Sequence, residues 1–311
     1  MSIRQMIRFP GRSGLGLVAL GIPVVMFVFL GFTAPNFATV QNYANVNAQI
    51  AALLLVALGQ MIVAVSGGID LSVGSVLSLT SAIIVSVDPA LAVPAALMAG
   101  LCVGLVNGIG VTVFAVHPLI MTLASMTFLQ GLALLILPVP GGDVPDYLEA
   151  LVRFTFLGLP AAFYWCVLAV VATWVLTSRT RFGLRIFAVG ANDLNAARNG
   201  VNVTMQRITC YVLCSFGGVL AGLFLSARVA SAEPTMGVQY GLESVTAIAL
   251  GGVLLAGGIG SVPGVIAGTV ALGLMTNGMN LIGVSPFIRA AATGLLLLSA
   301  VSLQPRKTIG A

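Results

Sequence analysis

The sequence predicts an all-α, polytopic integral membrane protein with about ten transmembrane helices, glycine-rich helix breaks and both termini cytoplasmic. Composition is the first ground for this. Of 311 residues, 59% are hydrophobic and 7% charged, against about 25% charged in a soluble domain, and mean hydropathy is +1.12. The second is that ten apolar runs fill the chain, most of them close to the ~20 residues that span a bilayer. The third is the uneven placement of the basic residues.

The first run, Leu15–Thr33, follows Arg4, Arg8 and Arg12. It is too long for a signal peptide and lacks a small-residue cleavage site, so it reads as a retained span. Polar Pro35 to Asn47 forms an outer connection to the second run, Ala48–Ser66. Then comes GGIDLSVGS, Gly67 to Ser75. The glycine pair ends one helix, and Asp70 can accept from N–H groups at the start of the next. The third run, Ser72–Val87, reaches only about 24 Å at 1.5 Å per residue. That is short of the ~30 Å core, which places the break partly inside the bilayer. An acid at the bilayer centre costs roughly 2.5–3.5 kcal/mol, so Asp70 marks a functional position.

In the fourth run, Ala90–Val111, Gly100, Gly104 and Gly108 recur every four residues, a spacing that lets helices pack closely. His117, the only histidine, precedes the fifth run, Leu119–Leu137, and reads as structural. Gly141 to Leu159 is an outer loop, and Pro160–Thr177 is the sixth run. The longest hydrophilic stretch, Ser178 to Arg207, follows. Inside it Asn192 or Asp193 can cap a short helix over Leu194–Arg198, and Gly200 sits where a left-handed C-terminal cap belongs. The seventh run is Ile208–Ala227, and Arg228 to Glu243 is a second outer connection. The eighth run, Ser244–Ala256, leads into LAGGIGSVPGVI, which can be laid on VSGGIDLSVGSV with one gap. Paired interrupted segments in two halves of a chain point to a transport pathway. Val262–Ile282 and Pro286–Leu303 complete the ten.

Ten alternating spans put the N-terminus, the Ser178–Arg207 stretch and the C-terminus on one side of the membrane. Those three places hold ten of the 13 basic residues, so charge and parity agree on a cytoplasmic location for all three. The basic balance thereby reflects membrane topology, with no nucleic acid implied. Cys102, Cys166, Cys210 and Cys214 all lie in apolar runs and read as packing residues.

Much chemistry is excluded. Lys307 is the only lysine, and it is not in a glycine-rich loop, so the chain has no phosphate-cradling GxxxxGK[ST] motif. One histidine leaves no Ser/His/Asp set and no metal cluster. The chain reads as a non-enzyme, with no cofactor of its own. Too few acids lie at membrane depth for a proton relay, which disfavours a self-contained secondary transporter or channel.

Four stretches carry a resemblance: GGIDLSVGS; HPLIMTLASMTFLQGLAL; TRFGLRIFAVGANDLNAARNGVNV; and AEPTMG through LESVTAIALGGVLLAGGIGSVPGVIAG to NGMNLIGVSPF. Together they resemble the permease subunit of bacterial ATP-binding-cassette sugar importers of the ribose, xylose, arabinose and galactose group. Asn199, Gln130 and Ile259 depart from that group's pattern. The resemblance implies a single permease domain over residues 1–311 in the bacterial inner membrane, with residues 178–207 as its cytoplasmic coupling loop. It implies a second permease chain, identical or not, cassette ATPase subunits that bind ATP and Mg, and a periplasmic sugar-binding protein. Gly67, Gly68, Asp70, Ser72, Gly74, Ser75, Gly257, Gly258 and Gly260 become the expected pathway and gating residues. Arg181, Arg185, Asn192, Asp193, Ala196, Ala197, Arg198 and Gly200 become the expected ATPase-coupling set, and Arg153 and Arg228 the expected docking residues for the binding protein. A permease for branched amino acids or another small polar solute shares the same architecture.

Overall fold

The computed structural model describes residues 15–302 and 304. Arg4, Arg8, Arg12, Arg306 and Lys307 lie outside them, and with them part of the charge argument. Each of the ten apolar runs forms a helix: α1 (Leu15–Thr33), α2 (Val40–Val65), α3 (Val73–Ser86), α4 (Pro89–Thr112) and α5 (Pro118–Ile136), then α7 (Ala161–Arg179), α10 (Val203–Val229), α11 (Tyr240–Leu250), α12 (Val262–Leu281) and α13 (Pro286–Ser302). Among the described residues, α2, α4, α5, α7, α10 and α12 are each long and apolar enough to cross a membrane. Of the other four, α3, α11 and α13 are shorter, at 14, 11 and 17 residues.

Connections read as loops contain structure of their own. The Gly141 to Leu159 connection holds the amphipathic helix α6 (Asp146–Arg153), which buries Leu148, and leads into a small hairpin of β1 (Thr155–Phe156) on β2 (Leu159–Pro160). The hydrophilic stretch after α7 holds two helices, α8 (Arg181–Ala191) and α9 (Asp193–Arg198). Only α9 was legible from its caps. α8 is set by its amphipathic face instead, burying Ile186 and Val189 while Arg181 and Arg185 stay exposed.

The core is α2. Every residue from Ala51 to Val65 is buried, as expected of a helix that is apolar all round. Its long partner α10 packs against α2, α3 and α4. Glycines let the axes approach: a Cβ on Gly59 would stand 3.0 Å from the Cys214 Cα, and one on Gly108 would stand 2.7 Å from the Ile208 Cα. Gly100 and Gly104 likewise face Val219 and Val212 of α10, so the four-residue spacing in α4 is a helix-packing face. Cys210 and Cys214 are buried in this core, and all four cysteines are free thiols.

The eighth run needs a correction. α11 covers Tyr240–Leu250 rather than Ser244–Ala256, and at 11 residues it is only about 16 Å long. Its C-terminus is closed by hydrogen bonds from Val253 N–H to the Ile248 carbonyl (2.9 Å) and from Gly252 N–H to the Ala249 carbonyl (3.1 Å), with Gly252 at φ 76°. This paired termination needs a left-handed residue, so the glycine at 252, and not the pair at 257–258, stops the helix. On its other side α11 is extended by turns, since the Arg228 to Glu243 connection is no free loop. Glu233 N–H donates to Ser81 Oγ (3.0 Å), Gly237 N–H donates to Ser78 Oγ (2.9 Å), and Gln130 Nε2 donates to the Pro234 carbonyl (2.7 Å). The segment therefore runs along α3.

Candidate functional site: a buried helix break joined to the hydrophilic segment

α2 ends by the same device as α11. Gly68 N–H bonds the Val63 carbonyl (3.1 Å) and Gly67 N–H bonds the Ala64 carbonyl (3.0 Å), with Gly67 at φ 88°. Past that cap the chain turns back inside the protein rather than out of it. Asp70 and Ser72 are fully buried.

The break carries a polar relay. Asp70 Oδ1 accepts from Ser72 N–H (2.9 Å) and from the Ser72 hydroxyl (2.6 Å). Asp70 therefore holds Ser72, the residue at the N-cap of α3, and accepts from no N–H group within the helix itself. Asn107 Nδ2 of α4 donates to Ser72 Oγ (2.8 Å), and Ser125 Oγ of α5 donates to Asn107 Oδ1 (2.5 Å). Oriented to satisfy both partners, the Gln60 amide of α2 donates to the Asp70 carbonyl (2.9 Å) and accepts from Asp70 N–H (3.2 Å). Ser75 Oγ, one turn on, donates to the Met126 carbonyl (2.9 Å). One acid thus connects four helices, α2, α3, α4 and α5. Among the described residues, Asp70 Oδ2 and the Tyr211 hydroxyl are buried without a hydrogen-bond partner.

Gly68 and Gly74 serve close approach. A Cβ on Gly68 would stand 2.6 Å from the Tyr211 hydroxyl, and one on Gly74 would strike the backbone of Gly237 in the turns leading into α11.

The second break meets the first. Gly258 N–H donates to the Val65 carbonyl (2.9 Å). A Cβ on Gly257 would lie 2.9 Å from the Gly67 Cα and from the Gly190 carbonyl, and one on Gly260 would lie 2.7 Å from Val65 Cγ2. The third party is the end of α8: a Cβ on Gly190 would fall onto the Val65 carbonyl, and one on Gly258 would lie 2.9 Å from the Ala191 Cα. Both helix breaks and the end of the hydrophilic segment therefore meet backbone to backbone.

Beyond this junction, Asn192 Oδ1 accepts from Asn195 N–H (2.9 Å) at the start of α9. Gly200, at φ 78°, ends α9 as the sequence anticipates. Ala196 is buried, whereas Asp193, Ala197 and Arg198 are exposed, with Asp193 paired to Arg207 at 3.3 Å. Of the two arginines expected to face a docking protein, Arg153 pairs with Glu149 in its own helix (2.7 Å), and Arg228 donates to Asn45 Oδ1 of α2 (3.2 Å).

Sequence reasoning missed Gln60, Asn107, Ser125 and Gly190. The first three are single polar residues inside apolar runs, and that rarity was the available signal. Gly190 carries none, because a glycine ahead of a polar cap looks like any loop residue.

The chain is similar along most of its length to three curated permeases. It is 36% identical over 292 residues to the ribose import permease protein of Bacillus subtilis, covering 91% of each chain. It is 35% identical over 283 residues to the L-arabinose transport system permease protein of Escherichia coli, covering 89% of this chain and 86% of that one. Against the galactose/methyl galactoside import permease protein of Salmonella typhimurium, identity is 31% over 315 residues, covering 92% and 94%. No solved structure matches the chain. The family described as branched-chain amino acid transport system / permease component matches residues 42–301, and the chain belongs to that permease family.

Proposed function

We propose that this chain is the membrane-spanning subunit of an ATP-driven sugar importer in the bacterial inner membrane. The observation that carries this reading is similarity along nearly the whole chain to permeases named for ribose, L-arabinose and galactose import. In it the ten apolar helices all span the bilayer with both termini cytoplasmic, and two such chains form the pathway. A periplasmic binding protein delivers the sugar, aided by Arg153 and Arg228. Cassette ATPases bind ATP and Mg and dock on α8 and α9 through Arg181, Arg185 and residues Asn192 to Gly200. ATP-driven movement of that segment reaches the helix breaks through Gly190 and Ala191, and the relay centred on Asp70 holds or releases the break. No step of this work is chemical catalysis, so the chain contributes geometry alone.

The test is uptake into proteoliposomes carrying the chain with its ATPase and binding protein, using labelled D-ribose, L-arabinose and D-galactose. Uptake of at least one of them, dependent on ATP, is the expected result. Uptake by the single chain without ATPase would establish the secondary-transporter or channel reading instead. Uptake of leucine in place of sugar would support a branched amino acid permease, the reading favoured by the family's description. In the same assay Ala197→Asp, which adds charge to an exposed face of α9, is expected to abolish ATPase assembly and uptake while membrane abundance stays normal. Retention of both would remove α9 from the coupling role.

A further inference from the structure

A second polar feature lies away from the break, in a cleft of about 210 Å³ between α2, α11, α12 and α13. Its walls carry Gln49, Gln239, Tyr240, Glu243, Asn280 and Arg289. So dense a set of hydrogen-bonding groups amid apolar helices is costly against lipid, and such groups face a water-filled cavity or a partner chain. Arg289 Nη1 donates to Asn280 Oδ1 (2.7 Å), which fixes the guanidinium in the wall. Among the described residues Glu243 and Arg289 form no ion pair within 4.0 Å. Among the described residues, Gln49 Oε1 is buried without a hydrogen-bond partner. A carboxylate and a guanidinium held apart across a gap, beside an unsatisfied carboxamide, make an incomplete set that a ligand would complete.

We infer that this cleft is a sugar-binding station within the permease itself, taking a small neutral polyol whose hydroxyls donate to Glu243, accept from Arg289 and do both with Gln49 and Asn280. This rests on the importer reading above and adds to it a site on this chain. Neutrality of the ligand follows from the walls, whose one acid and one base cancel. A polyol suits them because each hydroxyl both donates and accepts, whereas the carboxylate only accepts, the guanidinium only donates and the carboxamides do both. The volume is below the range of drug-sized pockets, which suits a monosaccharide. In the ten-span arrangement the cleft opens outward, toward the delivering protein. The apolar walls lack the stacked aromatic pair that would favour a flat or apolar ligand, and Tyr240 is the single ring among the named residues.

The inference is tested on the permease–ATPase complex in nanodiscs, with the four native cysteines replaced and Thr276, which also lines the cleft, changed to Cys. Alkylation by a membrane-impermeant maleimide is timed with and without D-ribose, L-arabinose or D-galactose. At ligand about ten times a millimolar dissociation constant, one of these sugars is expected to slow labelling about tenfold. Glu243→Gln and Gln49→Ala are each expected to remove that protection. A cysteine at Ser302, at the far end of α13, labels at the same rate with or without sugar. Absence of protection in a complex that imports one of the three sugars would overturn the inference and leave the importer reading standing. Full protection in both variants would also overturn it. A complex that imports none of the three refutes the importer reading first.

Discussion

Gly190→Val is expected to abolish transport. The reason is the tightness of the junction between α8 and the two helix breaks: a Cβ at residue 190 would fall onto the Val65 carbonyl and the Gly258 nitrogen. Backbone atoms cannot rotate away as a side-chain tip can, so α8 must withdraw from α2 or the second break must open. Overpacking of this kind costs about 1–3 kcal/mol, and more where only backbone can yield. The bond from Gly258 N–H to the Val65 carbonyl lies in the same collision. Uptake is expected to fall more than tenfold, a loss that corresponds to about 1.4 kcal/mol or more. ATP hydrolysis by the assembled complex should continue, because the exposed faces of α8 and α9 are untouched. Leu168→Ala, at an exposed position of α7 away from the junction and from α8, is the control and should leave uptake near the parent level. If Gly190→Val imports normally, the junction transmits nothing.

The other large effect is expected at Asp70, where charge and shape can be separated. Asp70→Asn keeps an acceptor for Ser72 N–H and the Ser72 hydroxyl, and so keeps the start of α3. Asp70→Leu leaves Ser72 N–H without a partner and loosens the Ser72–Asn107–Ser125 chain. Each buried group stranded in this way costs about 1–3 kcal/mol. The leucine variant is therefore expected to lose membrane abundance. The asparagine variant is expected to reach the membrane normally and lose most uptake, because only the carboxylate supplies the buried second oxygen Oδ2, without a partner among the described residues. Immunoblotting of membranes beside ATP-dependent uptake reads both outcomes. Loss of abundance in both variants would assign Asp70 to folding alone.

These two residues differ in how visible they are before folding. Asp70 stands out in a sequence because an acid flanked by apolar runs is expensive, and the neighbouring glycines announce where the helix must end. The cap at Asn192, the left-handed end at Gly200 and the packing face of Gly100, Gly104 and Gly108 are legible for the same reason: each depends on residues within one or two turns. The boundary of α11 was misplaced because two glycine pairs compete, at 251–252 and 257–258. Only the first brings its N–H groups to carbonyls of α11, Gly251 to Ala247 and Gly252 to Ala249.

Sequence alone established the apolar class of the chain, the approximate positions of its apolar helices other than α11, the break at GGIDLSVGS and, through resemblance, its family. Those are properties of composition, of hydrophobic run length and of local backbone preference. Tertiary structure alone decided that Gln60, Asn107 and Ser125 gather around Asp70 and Ser72, and that Gly190 closes against Val65 and Gly258. It also decided that Glu243 and Arg289 line one cleft. Each of these joins residues from different elements, tens to more than a hundred positions apart, and no local rule registers such a pairing. Packing of the buried α2 against its neighbours brings them together, because an apolar core leaves its few polar groups only one another as partners.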